Sequence, residues 1–203
     1  TDGTARVLGE YAAKYPGLLR VVTTDFGAPG PARNAGAAIA GGELLLFADD
    51  DVAVPPDWIA RMAALHEAHP RGAVCGGIAP ASLDTDIERY QHYRMMGALG
   101  RTARDAGATP VLNFLVSREA FERAGGFPAE PLRAAEDWEF CKRLRHHGVT
   151  IRYDPSVIVT HPYVRELGPL LHRMRDTGAA GVYVWLVRHR GAFLYTMYSL
   201  VRC

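Results

Sequence analysis

The sequence predicts an α/β fold with a mostly parallel, Rossmann-like sheet and helices on both of its faces. Short apolar runs such as ELLLFA (43–48) are typical of strands that are covered on both sides. Longer segments place apolar residues on one helical face, as in the segment that Pro55 and Pro56 open. Because strands and helices of these two kinds alternate along the chain, we expect successive βαβ units.

The predicted elements of the first half are bounded by proline and glycine. A first helix must end before Pro16, and a later helix starts near Pro31 and ends at Gly41–Gly42. We predict helices over 4–14, 31–40 and from 55 to before 70, and strands over 18–23 (LLRVVT), 43–48 and 73–77.

The second half continues the same alternation. Ser117 can cap a short helix that stops at Gly125–Gly126. We predict a helix within 84–109, strands over 111–116, 150–153 and 157–160, and helices over 117–124 and 136–147. A doubly wound sheet starts with a strand, and none is available ahead of Thr4, so we expect the first strand of the fold to be missing, upstream of Thr1.

Composition sets limits on partners and compartment. The 203 residues are 48% hydrophobic and 22% charged, as in an ordinary globular domain. The formal charge of +1 and the scattered basic residues give no argument for a nucleic-acid partner. The three cysteines are far apart and form no CxxC pair, which favours a reducing compartment and a cytoplasmic location.

Two apolar segments lie near the C-terminal end, over 179–187 (AAGVYVWLV) and 192–201 (AFLYTMYSLV), and the basic run 188–190 divides them. Each is shorter than the roughly 18 residues that a spanning helix needs. We therefore predict packed helices, with contact to the inner face of a membrane as the alternative.

An acidic cluster, Asp49, Asp50 and Asp51, comes directly after the predicted strand 43–48. Ligands of open α/β sheets bind beyond the carboxyl ends of the strands. In an extended chain Asp49 and Asp51 project the same way, and a hard divalent cation would relieve their repulsion. The alternative is a solvated acidic turn.

Four blocks in order carry a family resemblance: PGPARNAG (29–36), GGELLLFADDDV (41–52), NFLVSREAFERAGGF (113–127) and AEDWEFCKRLRHHG (135–148). Together they resemble the family 2 glycosyltransferases, which have the GT-A fold and transfer a sugar from a nucleoside-diphosphate donor. The opening TDGT is similar to the tail of that family's D-D-G-S-x-D-G-T loop. The resemblance runs from residue 1 to about residue 163.

The resemblance implies a donor site in the first two blocks. Asp49, Asp50 and Asp51 match the family's DxD motif, which implies that Asp51, with Asp49, binds Mg²⁺ or Mn²⁺ and that Asp49 and Asp50 approach the nucleotide. Arg33 and Asn34 match its R-N-x-G block at the nucleotide site. A helix N-terminus with an arginine also offers positive potential to a diphosphate. The alternative is that Arg33 is an ordinary surface arginine.

The resemblance also implies the catalytic pair. Glu136 and Asp137 match the family's E-D motif, whose aspartate is the usual general base of inverting members. In the first turn of its helix Asp137 should be ionised, although an acidic capping pair explains the same residues. His161 is similar to a histidine that completes the metal site in many relatives, with an ordinary histidine as the alternative.

We therefore expect an inverting, metal-dependent transfer from a UDP- or GDP-type sugar to a hydroxyl of a glycan, lipid or other acceptor. Tyr90, Tyr93 and Trp138 could stack on a sugar, or belong to the core. The expected organisation is a core over 1–163, with a nucleotide part over 1–80 and an acceptor side over 81–163, followed by a helical extension over 164–203.

Two other functions are compatible with parts of the sequence. One is a non-catalytic nucleotide-sugar-binding module of the same fold, against which the Asp137 match argues. The other is a phosphatase of the haloacid-dehalogenase type, suggested by TDGT and the aspartates. That phosphatase needs an apolar strand directly before its nucleophile, and no such strand precedes Thr1.

Overall fold

The computed structural model describes residues 3–130, 132 and 134–187, with side chains described as far as residue 179. The helices are α1 (Thr4–Lys14), α2 (Pro29–Ile39), α3 (Trp58–Glu67), α4 (Asp86–Leu99), α5 (Arg118–Arg123), α6 (Glu136–His146) and α7 (Leu167–Val187). The strands are β1 (Leu44–Ala48), β2 (Gly72–Pro80), β3 (Arg104–Asp105), β4 (Asn113–Ser117) and β5 (Thr150–His161).

The five strands form one sheet in the order β1-β4-β2-β5-β3. β2 pairs with β5 in parallel, whereas the other three pairings are antiparallel. The predicted α/β class is confirmed, but the mostly parallel sheet is corrected to a mixed one. Apolar runs report the burial of a strand and not its direction, so the sequence did not show that β4 runs opposite to its two neighbours.

Helices cover both faces of the sheet, as predicted. Along β4, Phe114 and Val116 join a cluster with Phe121, Phe127 and Phe140 from the α5–α6 region. Leu115, which points the other way, packs with Met62 of α3 and Val74 of β2. This separation follows from the alternation of side chains along a strand.

Asn113 links three elements beneath the sheet edge where β1 ends. Its side chain is fully buried, and its amide nitrogen donates to the carbonyls of Gly77 at 2.9 Å and Val157 at 3.0 Å. Its oxygen accepts a hydrogen bond of 2.9 Å from the Trp58 indole. A Cβ at Gly76 would lie 2.1 Å from the Asn113 amide nitrogen, so glycine is required there.

The strands that share a direction bring their carboxyl ends to one edge of the sheet. Ala48 ends β1 opposite Asn113, and His161 ends β5 opposite Pro80. An isolated antiparallel bridge between Ala53 and Thr160 ties the segment after β1 to the end of β5. The acidic turn and His161 are thereby held at the same edge.

Two predicted strands differ from the structure. LLRVVT (18–23) is not a strand, because its side chains are exposed and it pairs with no strand in the described part of the chain; Leu18 is 83% exposed. β1 forms as predicted but is not covered on both faces, since it lies at the edge of the described sheet and only Leu45 is buried in it.

Three further boundaries were refined. The strands predicted over 150–153 and 157–160 form one strand, β5, with an irregularity opposite Gly76 and Gly77. The two-residue strand β3 was not predicted. α7 includes the apolar segment 179–187, whereas the segment 192–201 lies outside the described residues. No helix in the described ranges is both long enough and apolar enough to cross a membrane.

Candidate active site

The site begins at the acidic turn after β1. The N–H of Val52 donates to the carbonyl of Asp49 at 3.4 Å, so the chain turns here instead of continuing as a strand. The extended backbone on which the prediction for Asp49 and Asp51 depended is therefore not present, and their binding of one cation stays a prediction. Asp49 contacts Arg33, Asp51 approaches His161, and Asp50 is exposed between them.

Arg33 on α2 joins the acidic turn to the start of α6. Its two terminal nitrogens lie 2.6 Å from an Asp49 oxygen and 2.8 Å from a Glu136 oxygen, and its guanidinium stacks on Phe127 at 5.5 Å. Burial alone would lower the pKa of Arg33, but the two carboxylates outweigh it and raise that pKa above its ordinary value. Arg33 is an internal cross-link and not a surface arginine.

Asn34 is held by the loop that precedes α6. Its amide nitrogen donates to the Phe127 carbonyl at 3.0 Å, and its oxygen accepts from the Phe127 N–H at 2.9 Å. Gly126 makes this approach possible, since it has a φ of 64° and a Cβ there would lie 2.7 Å from the Asn34 oxygen. The amide therefore positions this loop, and its predicted contact with a nucleotide stays a prediction.

The start of α6 is strained. Ala135, the residue before the helix, has a left-handed φ of 65°, which is unfavourable for a residue with a Cβ. Glu136 is buried, with 6% of its surface exposed, and forms an ion pair with Arg33. Strain of this kind is found where a fold holds functional groups in place.

Asp137 follows Glu136 and is half-buried. Removal from water raises the pKa of Asp137 to about 7, repulsion by Glu136 adds to the rise, and Arg33 opposes it. Burial therefore works against the ionised form that the helix N-terminus favours, and the role of Asp137 as the base stays a prediction. A carboxylate with a pKa near the working pH suits general base catalysis.

Asp51 and His161 form the second part of the site. Nε2 of His161 lies 3.4 Å from a carboxylate oxygen of Asp51, and the Asp51 side chain is 46% exposed while His161 is nearly buried. No group of three or more metal-ligating side chains occurs among the described residues. Two protein donors fit a cation such as Mg²⁺, which takes its other ligands from phosphate and water.

The predicted acceptor residues lie apart from the core. Tyr93 is 73% exposed, so it is not a core residue. Tyr90 and Trp138 are half-buried, with Arg94 and Lys142 stacked on their respective rings. Their contact with a sugar stays a prediction.

Three contributors to the site were not predicted. Gly30 lets α2 approach α6, since a Cβ there would lie 3.2 Å from the Pro128 carbonyl oxygen. Ala135 carries the strain at α6, and nothing in its sequence signals that conformation. Tyr163 packs on His161 with ring centroids 5.7 Å apart. Its position two residues after His161 in the sequence was an available signal.

The fold is of the GT-A class: a mixed α/β sheet with helices on both faces and an acidic turn at its carboxyl edge. The family model described as Glycosyl transferase family 2 matches residues 1–125, and the chain belongs to that family. The matched range includes Arg33 and the acidic turn and ends before α6 and His161. The phosphatase alternative is thereby set aside.

One of two similar curated proteins is a glycosyltransferase by name. A pre-mycofactocin glycosyltransferase of Mycobacterium tuberculosis is 26% identical over 79% of this chain, which covers 35% of that protein. An uncharacterized protein of Mycobacterium bovis is 34% identical over 37% of the chain. The chain thus spans about a third or less of the length of these relatives.

Solved structures share the fold. S. aureus TarS, solved with UDP-GlcNAc, gives a TM-score of 0.62 at 15% identity, over 98% of this chain and 60% of that one. GalNAc-T7, solved with UDP, GalNAc and Mn²⁺, gives 0.64 at 19% identity, over 95% of this chain and 41% of that one. At these identities the likeness shows the fold.

Proposed function

We propose that this chain is the catalytic core of an inverting, metal-dependent glycosyltransferase that moves a hexose from a nucleoside-diphosphate donor to an acceptor hydroxyl. The observation that carries the proposal is the double ion pair of Arg33, which joins the acidic turn to the start of α6. It fixes Glu136, and with it the neighbouring Asp137, beside the acidic turn, which supports a base and a donor site in one cleft.

Asp51 and His161 are the residues that would hold Mg²⁺ or Mn²⁺. The bound cation would neutralise charge on the donor diphosphate as it leaves. Asp51 follows β1 and His161 ends β5, both at the carboxyl edge of the sheet, and the Asp51 side chain is 46% exposed. GalNAc-T7 was solved with UDP and Mn²⁺, which supports a cation of this kind.

Asp49 and Arg33 form the wall of the cleft on the α2 side. Their ion pair is 2.6 Å long, and Arg33 remains cationic because its two carboxylate partners raise its pKa. We assign Asp49 and the exposed Asp50 to the nucleotide of the donor, with Asp49 near its ribose and Arg33 near its phosphates. TarS was solved with UDP-GlcNAc, which supports a nucleotide-sugar ligand.

Asp137 is the general base in this proposal. Its carboxylate takes the proton from the acceptor hydroxyl while that oxygen bonds to the anomeric carbon. The bond between this carbon and the diphosphate oxygen breaks on the opposite side, so the anomeric configuration inverts. A pKa of about 7 makes Asp137 a stronger base than an ordinary aspartate and leaves it substantially ionised at neutral pH.

The test combines binding with turnover. Calorimetry of UDP and GDP, with and without Mn²⁺, is expected to show binding that the cation strengthens, and proton NMR of donor hydrolysis should then show release of the inverted sugar. Asp137→Asn should bind the same nucleotide and release none. Equal turnover in both proteins would remove Asp137 as the base, and nucleotide binding without turnover in either would leave a non-catalytic binding module.

The acceptor, the division at residue 163 and a cytoplasmic location, with contact to the inner face of a membrane as the alternative, are further parts of the proposal. Tyr93 is the exposed aromatic on the side where the acceptor is expected to bind, and it is the first residue to substitute when candidate glycans or lipids are compared.

A further inference from the structure

A group of three aromatic polar side chains lies behind the cleft. We call it the Tyr163 cluster, and it consists of Tyr163, His161 at the end of β5 and His92 of α4. The Tyr163 ring centroid is 5.7 Å from that of His161 and 6.2 Å from that of His92. Tyr163 and His161 are each only 7% exposed.

Each member of the Tyr163 cluster has a buried polar atom with no hydrogen-bond partner in the described structure. These atoms are Nδ1 of His92, Nδ1 of His161 and the hydroxyl oxygen of Tyr163. Buried polar groups are almost always paired in native proteins. A phenylalanine at 163 would fill the same space without burying a hydroxyl. Three unpaired polar atoms on rings that pack together therefore indicate that these rings share a function.

The two nitrogens of His161 face different surroundings. Nε2 lies 3.4 Å from Asp51 at the cleft, whereas Nδ1 is buried and belongs to the Tyr163 cluster. A histidine that binds a cation through one nitrogen usually donates the N–H of the other, which fixes the tautomer and the orientation of the ring. The Tyr163 ring packs on this histidine and its hydroxyl has no partner in the described structure, so we take that hydroxyl as the candidate acceptor.

Several hydrogen bonds fix the backbone around the Tyr163 cluster. The Gln91 amide donates to the Val164 carbonyl at 2.8 Å, and the Ala81 N–H donates to the His161 carbonyl at 3.0 Å. Thr85 and Glu88 form a capping box at the start of α4. Because these contacts fix the backbone on both sides, the three rings are held against one another.

We propose that Tyr163 is a positioning residue for His161. Nδ1–H of His161 donates to the Tyr163 hydroxyl, and that hydroxyl donates to Nδ1 of His92, directly or through one water. Each of the three polar atoms then has a partner, and the lone pair of His161 Nε2 points to the cation beside Asp51. This inference rests on the proposed function only in placing a cation at that pair.

The experiment is Tyr163→Phe in the whole chain, with Mn²⁺ affinity measured by electron paramagnetic resonance in the presence of UDP. We expect about tenfold weaker Mn²⁺ binding, as for other groups that orient a metal ligand. The melting temperature should stay close to that of the unsubstituted chain, because the ring remains. Tyr11→Phe, at an exposed tyrosine of α1, is the matched control and should bind Mn²⁺ normally.

Nitrogen-15 NMR of the histidines gives a second readout that a merely structural tyrosine would not move. His161 should carry its proton on Nδ1 in the unsubstituted chain and show a mixture of tautomers in Tyr163→Phe. If His161→Ala loses Mn²⁺ and Tyr163→Phe keeps full affinity and the same tautomer, this inference is overturned while the proposed function stands. If the unsubstituted chain binds no Mn²⁺ with UDP, both are overturned.

Discussion

The two sides of the cleft are built differently. We call them the Arg33 side and the His161 side. The Arg33 side consists of Arg33, Asp49, Glu136 and Asp137, and the His161 side consists of Asp51, His161 and Tyr163. On the Arg33 side the arginine makes two ion pairs of 2.6 and 2.8 Å, whereas on the His161 side one contact of 3.4 Å is accompanied by buried polar atoms without partners.

The difference indicates which side is fully assembled in the folded chain without a ligand. The Arg33 side pairs its largely buried arginine with two carboxylates, so these ion pairs form in the folded chain before any ligand arrives. The His161 side leaves Asp51 half exposed and lacks a third protein donor among the described residues. Substitutions on the Arg33 side should therefore change stability as well as function, and those on the His161 side should change ligand binding alone.

The largest expected effect concerns turnover on the Arg33 side. Asp137→Asn keeps the shape of the side chain and removes the base, so kcat should fall by about 10³-fold, within the usual range for general base catalysis. Donor affinity should change little, which calorimetry with UDP and Mn²⁺ can check. Asp57→Asn, an exposed carboxylate at the start of α3, is the control, and a similar fall in both variants would contradict the assignment.

The activity should also depend on pH through Asp137. Its pKa is about 7, and only the ionised form accepts a proton, so kcat should rise close to tenfold per pH unit below 7 and level off above it. Rates from pH 5 to 9 at saturating donor would show this. A flat profile over that range would mean that another group, or no group, acts as the base.

The same pKa gives the opposite sign for stability. The folded chain holds a proton on Asp137 that the unfolded chain releases above the ordinary pKa of 3.8. The free energy of unfolding should therefore fall as the pH rises from about 4 to 7, and Asp137→Asn should remove this contribution, on the order of 1–3 kcal/mol at pH 8. Urea unfolding of both proteins at pH 5 and 8 would measure the difference.

On the His161 side the expected loss is one of ligand binding. Asp51→Asn removes a negative oxygen from the proposed cation pair, so the Mn²⁺-dependent gain in UDP affinity should fall about 100-fold. Unfolding in urea should be unchanged within about 0.5 kcal/mol, because Asp51 is half exposed and makes one long contact. A clear loss of stability would break the distinction between the two sides.

Arg33→Met tests the expectation that substitutions on the Arg33 side lower the stability of the folded chain. It leaves Asp49 and Glu136 without their cation, and we expect a loss of about 2 kcal/mol, less than for a fully buried pair because the site is partly solvated. The control is Arg123→Met, whose pair with Glu119 is exposed and should cost less than about 0.5 kcal/mol. Equal losses would show that the Arg33 pairs are no stronger than surface pairs.

Sequence patterns predicted the elements well where local chemistry decides them. α1 and the start of α6 have the predicted bounds, because Pro16 and the acidic first turn mark them locally. The strand LLRVVT was wrong, because its β-rich composition says nothing about a partner to pair with. The direction of β4 was missed for a related reason, since it depends on the path of the whole chain.

The candidate site was predicted as a set of residues and not as an arrangement. The order of the motifs identified Arg33, Asp49 and Glu136 as candidate site residues. The double ion pair by which Arg33 joins the other two is a property of the fold and could not be predicted from that order. The pKa of Asp137 could not be predicted either, because the helix dipole is local whereas burial is set by the packing around the cleft.

The smallest expected effect is that of substituting Asn34. It tests the support of the Arg33 side and not its chemistry. Its two hydrogen bonds to the Phe127 backbone fix the loop before α6, so Asn34→Ala should cost about 1–2 kcal/mol in urea unfolding. Asn34→Asp keeps the acceptor for the Phe127 N–H but turns a second oxygen toward its carbonyl, and should cost at least as much. If instead both variants kept full stability and lost UDP affinity, Asn34 would belong to the nucleotide site directly and not to the support of the Arg33 side.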